Sequence, residues 1–115
     1  MAHVYALHIG SSHNDDMLEL VEHFFDYFDD VPPTESLSDN TSFSDVTAGQ
    51  LKTVADVKKL GMFTLDALFY AVIEGTTPYW NMCHCIPDDV MEQVYEKLFD
   101  CYEDDTPVKV FNIHI

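Results

Sequence analysis

"SSHNDDMLELVEHFFDYFDD", residues 11–30, decides how this chain is read. At about 100° per residue, Met17, Leu20, Val21, Phe24 and Phe28 gather on one side of a helical wheel. Asp15, Glu19, Glu22, Asp26, Asp29 and Asp30 gather on the other. Ser12 followed by Asp15 has the form of a capping box. The spacing predicts one amphipathic helix from Ser12 to about Asp29, half core and half anion. Its anionic half holds neither lysine nor arginine.

Working outward, residues 2–9, "AHVYALHI", alternate as a strand does, with Val4, Ala6 and His8 on one face and Tyr5, Leu7 and Ile9 on the other. On the C-terminal side, residues 30–46, "DVPPTESLSDNTSFSDV", have no periodicity and read as a flexible acidic loop. Thr47 and Gln50 then cap a short helix, "AGQLKTVADVKKL", that Gly61 ends. Thr64 opens "LDALFYAVIE", apolar on most sides and expected as a buried central helix ended by Gly75. "TTPYWNMCHC" fits a loop or a short strand equally. Pro87 starts the last helix, "PDDVMEQVYEKLFDCYED", and "PVKVFNIHI" closes the chain as a β-branched, alternating strand. The expected fold is therefore a small α+β single domain over residues 1–115, with about four helices packed on a two- or three-stranded sheet formed by the terminal strands.

The last helix repeats the pattern of the first. Val90, Met91, Val94, Leu98, Cys101 and Tyr102 make its apolar face, and Asp89, Glu92, Glu96, Asp100 and Glu103 align along the other, with Lys97 its one basic residue. Each expected helix contains six carboxylate pairs three or four residues apart, and each such pair costs about 0.2–0.5 kcal/mol. Together they cost roughly 2–6 kcal/mol, a sizeable part of a typical net stability of about 5–15 kcal/mol. Asp15, Asp16, Asp88 and Asp89 sit at helix starts, where anions are favoured; Asp29, Asp30, Glu103, Asp104 and Asp105 sit at expected helix ends, where they are not. An ordinary solvated helix mixes signs and gains from Glu–Lys pairs, which these two lack.

The whole chain shares this bias. Its 21 acidic residues face five lysines and no arginine, for a formal net charge of -16, yet 47% of its residues are apolar, enough for a core. Such a protein is repelled by nucleic acid and by anionic membranes and attracted to basic surfaces. No apolar run long enough to span a bilayer and no cationic signal-peptide start is present. Three cysteines, an odd number, argue for reduced thiols and a cytoplasmic setting. The lack of arginine and of a glycine-rich loop argues against polyphosphate chemistry, and no catalytic signature stands out, so a non-enzymatic protein without a cofactor is expected.

Two constellations invite a metal. Cys83, His84 and Cys85, with Cys101 beyond, offer zinc ligands, but adjacent residues in an extended segment point apart and paired C-x-x-C spacing is missing. His3, His8 and His13 recur every five residues, a period of neither strand nor helix; His8 and His114 are the pair able to meet across paired strands. Free thiols and unligated histidines are the expectation.

One carboxylate per helical turn, about 5.4 Å apart, makes a linear anionic array broadly comparable to a phosphate backbone. In this physical character the pattern resembles the DNA-mimic inhibitors, many of them encoded by phages and mobile elements against restriction or CRISPR nucleases; it carries no motif of any one family. The resemblance implies a partner that is a basic nucleic-acid-binding protein: a nuclease, a CRISPR effector, a restriction enzyme or a DNA-binding regulator. The expected binding residues are Asp15, Glu19, Glu22, Asp26, Asp29, Asp30, Asp89, Glu92, Glu96, Asp100 and Glu103, brought into one ridge. The alternatives are an immunity-type protein that neutralises a basic toxin, a metal-binding domain built on Cys83, His84 and Cys85, and bulk adaptation to a high-salt cytoplasm. The last is disfavoured by the lysine-rich segment 50–59.

Overall fold

The computed structural model describes residues 3–37, 46–80 and 88–115, without the side chains of residues 62, 63, 66, 88–92 and 94. Its elements run β1 His3–Ile9, α1 His13–His23, β2 Tyr27–Asp30, α2 Val54–Lys58, α3 Gly61–Leu68, β3 Ala71–Glu74, β4 Thr77–Trp80, α4 Asp88–Asp100 and β5 Val108–His114. The strands form one five-stranded sheet in the order β2-β5-β1-β3-β4. β1 and β3 are parallel, and every other neighbour is antiparallel. The expectation of about four helices on two or three strands is therefore overturned: a mixed sheet dominates the fold, and α2 is little more than one turn.

Both chain ends are strands, adjacent and antiparallel, from His3 opposite His114 to Ile9 opposite Val108. Alternation along β1 divides the interior in two. Ala6 and partly buried Val4 join Met17, Leu20, Ala71, Ile73, Phe111 and Ile113 under α1. Leu7 and Ile9 join Val54, Val57, Leu65, Val72, Tyr95 and Leu98 on the opposite side of the sheet, beneath α2, α3 and α4.

Two extra strands come from segments with ambiguous patterns. The first helix ends at His23, where the Phe24 N–H closes on the Leu20 carbonyl, and residues 27–30 pair with β5. Aromatic residues favour strands, and this pairing brings Phe25 and Phe28 into the core while covering one side of β5. Phe24, assigned to the helix's apolar face by the wheel, is left 58% exposed. The expected central helix likewise stops at Leu68, and Ala71–Glu74 become an inner strand. Its residues are buried on both faces, Ala71 and Ile73 toward α1 and Val72 away. Such a strand reads as a continuous apolar run, which periodicity alone cannot separate from a buried helix. Gly75, with φ +60, ends no helix; it opens the two-residue turn between Glu74 and Thr77, where a hairpin needs positive φ.

The helix expected over 48–60 is two pieces. Thr47 and Gln50 cap a 3-10 turn, Ala48–Gln50, and a second capping box at Thr53 and Asp56 starts α2. The Asp56 carboxylate accepts from the backbone N–H groups of Lys52 and Thr53 and from the Thr53 hydroxyl, and the two amide bonds hold its pKa below the usual carboxylate range. Asp56→Ala is expected to lower stability by about 1 kcal/mol in a urea titration, the usual worth of such a cap. Gly61 begins α3 instead of ending a helix. The expected flexible loop 30–46 is also corrected at both flanks: Asp30 lies in β2, Val31, Leu37 and Val46 are buried, and the Leu37 N–H bonds the Val46 carbonyl at 2.7 Å. Residues 38–45 lie outside the described residues.

Candidate partner-binding surface

The acidic row of α1 is built by the packing of its other face. Met17 and Leu20 are buried against the sheet, so the helical period turns Asp15, Glu19 and Glu22 outward, and all three are exposed. Asp15 and Asp16 occupy the first turn, where the helix dipole favours them. Beyond His23 the row leaves the helix. Asp26 lies in the turn and Asp29 and Asp30 lie on β2, all exposed. Only three of the six expected like-charge helix pairs remain in α1: Asp15–Glu19, Asp16–Glu19 and Glu19–Glu22. The anions expected at a helix C-terminus are instead strand residues with cationic or ionisable neighbours. Asp30 meets Lys109 at 3.2 Å, and Asp29 meets His114 Nε2 at 3.0 Å. Asp15, Glu19, Glu22 and Asp26 have no ion-pair partner among the described residues.

The second row lies elsewhere. Tyr95 and Leu98 fasten α4 to the face of the sheet opposite α1, so the two helices stand on opposite sides. Glu96 and Asp100 are exposed on α4, and Glu103 is exposed in the turn after it. Asp89 and Glu92 belong to the backbone of α4, and their side chains lie outside the described residues. A single ridge joining both rows is therefore ruled out by the layer arrangement. Lys97, on α4, reaches Glu74 at 3.7 Å, and Lys58 reaches Asp104, next to Glu103, at 2.8 Å.

The metal readings fare differently. Cys83, His84 and Cys85 lie outside the described residues. Cys101, expected on the apolar face of the last helix, is exposed just past its end. Among the described residues no group of three or more histidine, cysteine or carboxylate side chains is arranged to hold a metal ion.

A polar cluster that sequence reasoning missed lies at the start of α1. Gly10, with φ +134, and Ser11 fold the chain back so that α1 crosses over the strand it follows. His8 thereby becomes fully buried, with Nδ1 2.6 Å from His13 Nδ1 and Nε2 near both Asp16 Oδ2, at 3.1 Å, and the Gly75 carbonyl, at 2.9 Å. A carboxylate and a carbonyl both accept, so Nε2 carries the proton of a neutral His8. Its Nδ1 then accepts, and His13 Nδ1–H donates. Burial lowers the pKa of His8, opposed by the Gly75 carbonyl and Asp16; burial, then His8 and Lys109, lowers His13 to about 4. Beside the cluster, Ser11, Ser12, His13, Asn14, Asp15 and Lys109 line a shallow open depression of about 290 Å³. His8 and His114, the pair able to meet across paired strands, do not: His8 lies opposite Lys109, and His114 opposite His3.

No family model matches the chain, and no curated protein or solved structure matches it significantly. Among the described residues, no helix is long and apolar enough to cross a membrane. The functional reading rests on the surface itself.

Proposed function

We propose that the protein is a non-enzymatic inhibitor, acting inside the cell, that uses its α1–β2 side to occupy the basic nucleic-acid-binding surface of another protein. The observation that carries this reading is the run of exposed carboxylates Asp15, Glu19, Glu22 and Asp26, unneutralised among the described residues and continued by Asp29 and Asp30 on the edge strand. At 1.5 Å per residue the part on α1 spans about 10 Å, so it imitates a short stretch of phosphate backbone and not a length of duplex. Binding is driven by opposite potentials, hence fast and weakened by salt.

The test is capture of a basic partner from host extract at low salt, with elution by a salt gradient. Changing Glu19, Glu22 and Asp26 together to lysine is expected to weaken binding by on the order of 100-fold, because each reversal replaces attraction with repulsion. The same change at Glu96, Asp100 and Glu103, across the sheet, is expected to stay within about threefold. Equal loss from both triples would sink the assignment to one face. Competition then decides the mode: a nucleic-acid mimic and DNA exclude each other on the captured protein, whereas an immunity-type neutraliser of a basic toxin leaves DNA bound.

A further inference from the structure

β2 is the outermost strand on its side of the sheet, and no described strand pairs with its outer edge. Its hydrogen-bonding phase follows from the neighbouring ladder. The Gly10 N–H donates to the Pro107 carbonyl at 3.0 Å, which places the bonded pairs of β1 and β5 at even-numbered β1 and odd-numbered β5 residues. The even-numbered residues of β5 therefore turn their backbone groups to β2, Asn112 toward Asp29 and His114 toward Tyr27. The N–H and C=O groups of Phe28 and Asp30 face outward.

An open edge is normally blunted by short length, charged side chains, proline or a bulge. β2, "YFDD", is short and carries two carboxylates, which deter another acidic edge but not a cationic strand, and it has no lysine or proline. Apolar surface is exposed at and just before the strand: Tyr27 is 44% exposed and Phe24 58% exposed. Asp29 and Asp30 project on opposite pleats, and each keeps more than half of its side-chain surface open beyond its contact with His114 or Lys109. The edge thus presents two aromatic residues followed by two carboxylates. A second copy of the chain is a poor occupant, because each in-phase antiparallel register of two β2 edges opposes carboxylates: Asp29 to Asp29, Asp26 to Asp30, or Asp30 to Asp30. A cationic strand suits both halves.

We propose that β2 is a docking edge for a basic, extended segment of the partner, which adds to the sheet as a sixth strand. This rests on the reading that the partner is basic, and it names how one part of that partner engages. Backbone bonds to Phe28 and Asp30 supply affinity. Register follows from side chains, with a lysine or arginine pair opposite Asp29 and Asp30 and an apolar pair opposite Tyr27 and Phe28.

The experiment uses the full chain and a synthetic eight-residue peptide of alternating lysine pairs and valine pairs. Its control is the same peptide methylated on alternate backbone nitrogens, which keeps charge and side chains but removes strand donors. The parent peptide is expected to slow amide exchange at Phe28 and Asp30 at least about tenfold, and the methylated one to bind at least about tenfold more weakly. Equal binding of the two peptides, or protection confined to other amides, overturns strand addition. Binding of neither peptide at low salt overturns it as well. The reading of the α1 side is judged separately, by the lysine reversals at Glu19, Glu22 and Asp26, so the two ideas fail on different measurements.

Discussion

Phe111→Ala is expected to lower the free energy of unfolding by about 3–5 kcal/mol, the usual loss when a buried phenylalanine is truncated. Phe111 is fully buried on β5, the strand that joins β2 to β1. Its ring meets Phe28 edge-on at 5.3 Å and lies 6.4 Å from the His8 ring, with the Lys109 ammonium 5.0 Å from its centroid. Losing it opens the floor beneath α1 and removes the support of the edge strand at once. A chain of net charge -16 already carries self-repulsion that favours expansion, so the variant is expected to lie near its unfolding midpoint in dilute buffer and to recover as salt is added. Phe24→Ala, at a site 58% exposed, is expected to stay within about 0.5 kcal/mol of the parent. Urea titrations of both variants at two salt concentrations measure this, and a Phe111→Ala loss below about 1 kcal/mol would remove the ring from the core assignment.

The contrast between these phenylalanines shows where sequence reading stops. Phe111 belongs to a strand whose β-branched alternation is plain in "PVKVFNIHI", and β1 is legible in the same way. Phe24 sits where two patterns overlap. Residues 17–28 keep a helical period that a wheel accepts, and the same aromatics suit a strand; what separates the readings is whether β5 has an edge to offer, a pairing between Tyr27–Asp30 and Phe111–His114 that lies far away in sequence. The same holds for Ala71–Glu74, whose burial on both faces erases alternation. The acidic residues themselves were legible, and all the described ones are exposed or partly exposed. Their division between two sides of the sheet was not, because the side a helix takes is set by how its connections cross the sheet. His8, His13 and Asp16 were illegible for a third reason: a five-residue spacing joins two imidazoles only when a tight turn at Gly10 reverses the chain.

That reversal sets up the second large effect, a loss of stability as pH falls from 7 toward 4. His8 and His13 hold depressed pKa values in the folded chain, His13 at about 4, against 6.5 when unfolded. Below 6.5 the unfolded chain therefore binds more protons than the folded one, and protonation pulls the equilibrium toward unfolding. The contribution is fully present above 6.5, falls through the window from 6.5 to about 4, and is gone below it. The geometry gives the same sign, since an Nδ1–Nδ1 approach of 2.6 Å holds one shared hydrogen and becomes a repulsion between two donors when both rings are charged. Asp16 opposes the effect from α1, while Lys109 reinforces it from β5. For His13, partly open to solvent, the loss comes to about 1–2 kcal/mol after screening, and buried His8 adds to it in the same direction. His13→Asn keeps a side-chain donor near His8 but removes the titrating ring, so its urea midpoint is expected to fall less steeply between pH 6.5 and 5 than that of the parent. That interval lies above the carboxylate range, where relief of acidic repulsion would act the other way. Parallel pH profiles for parent and variant would show that the histidine contact contributes nothing to the acid response.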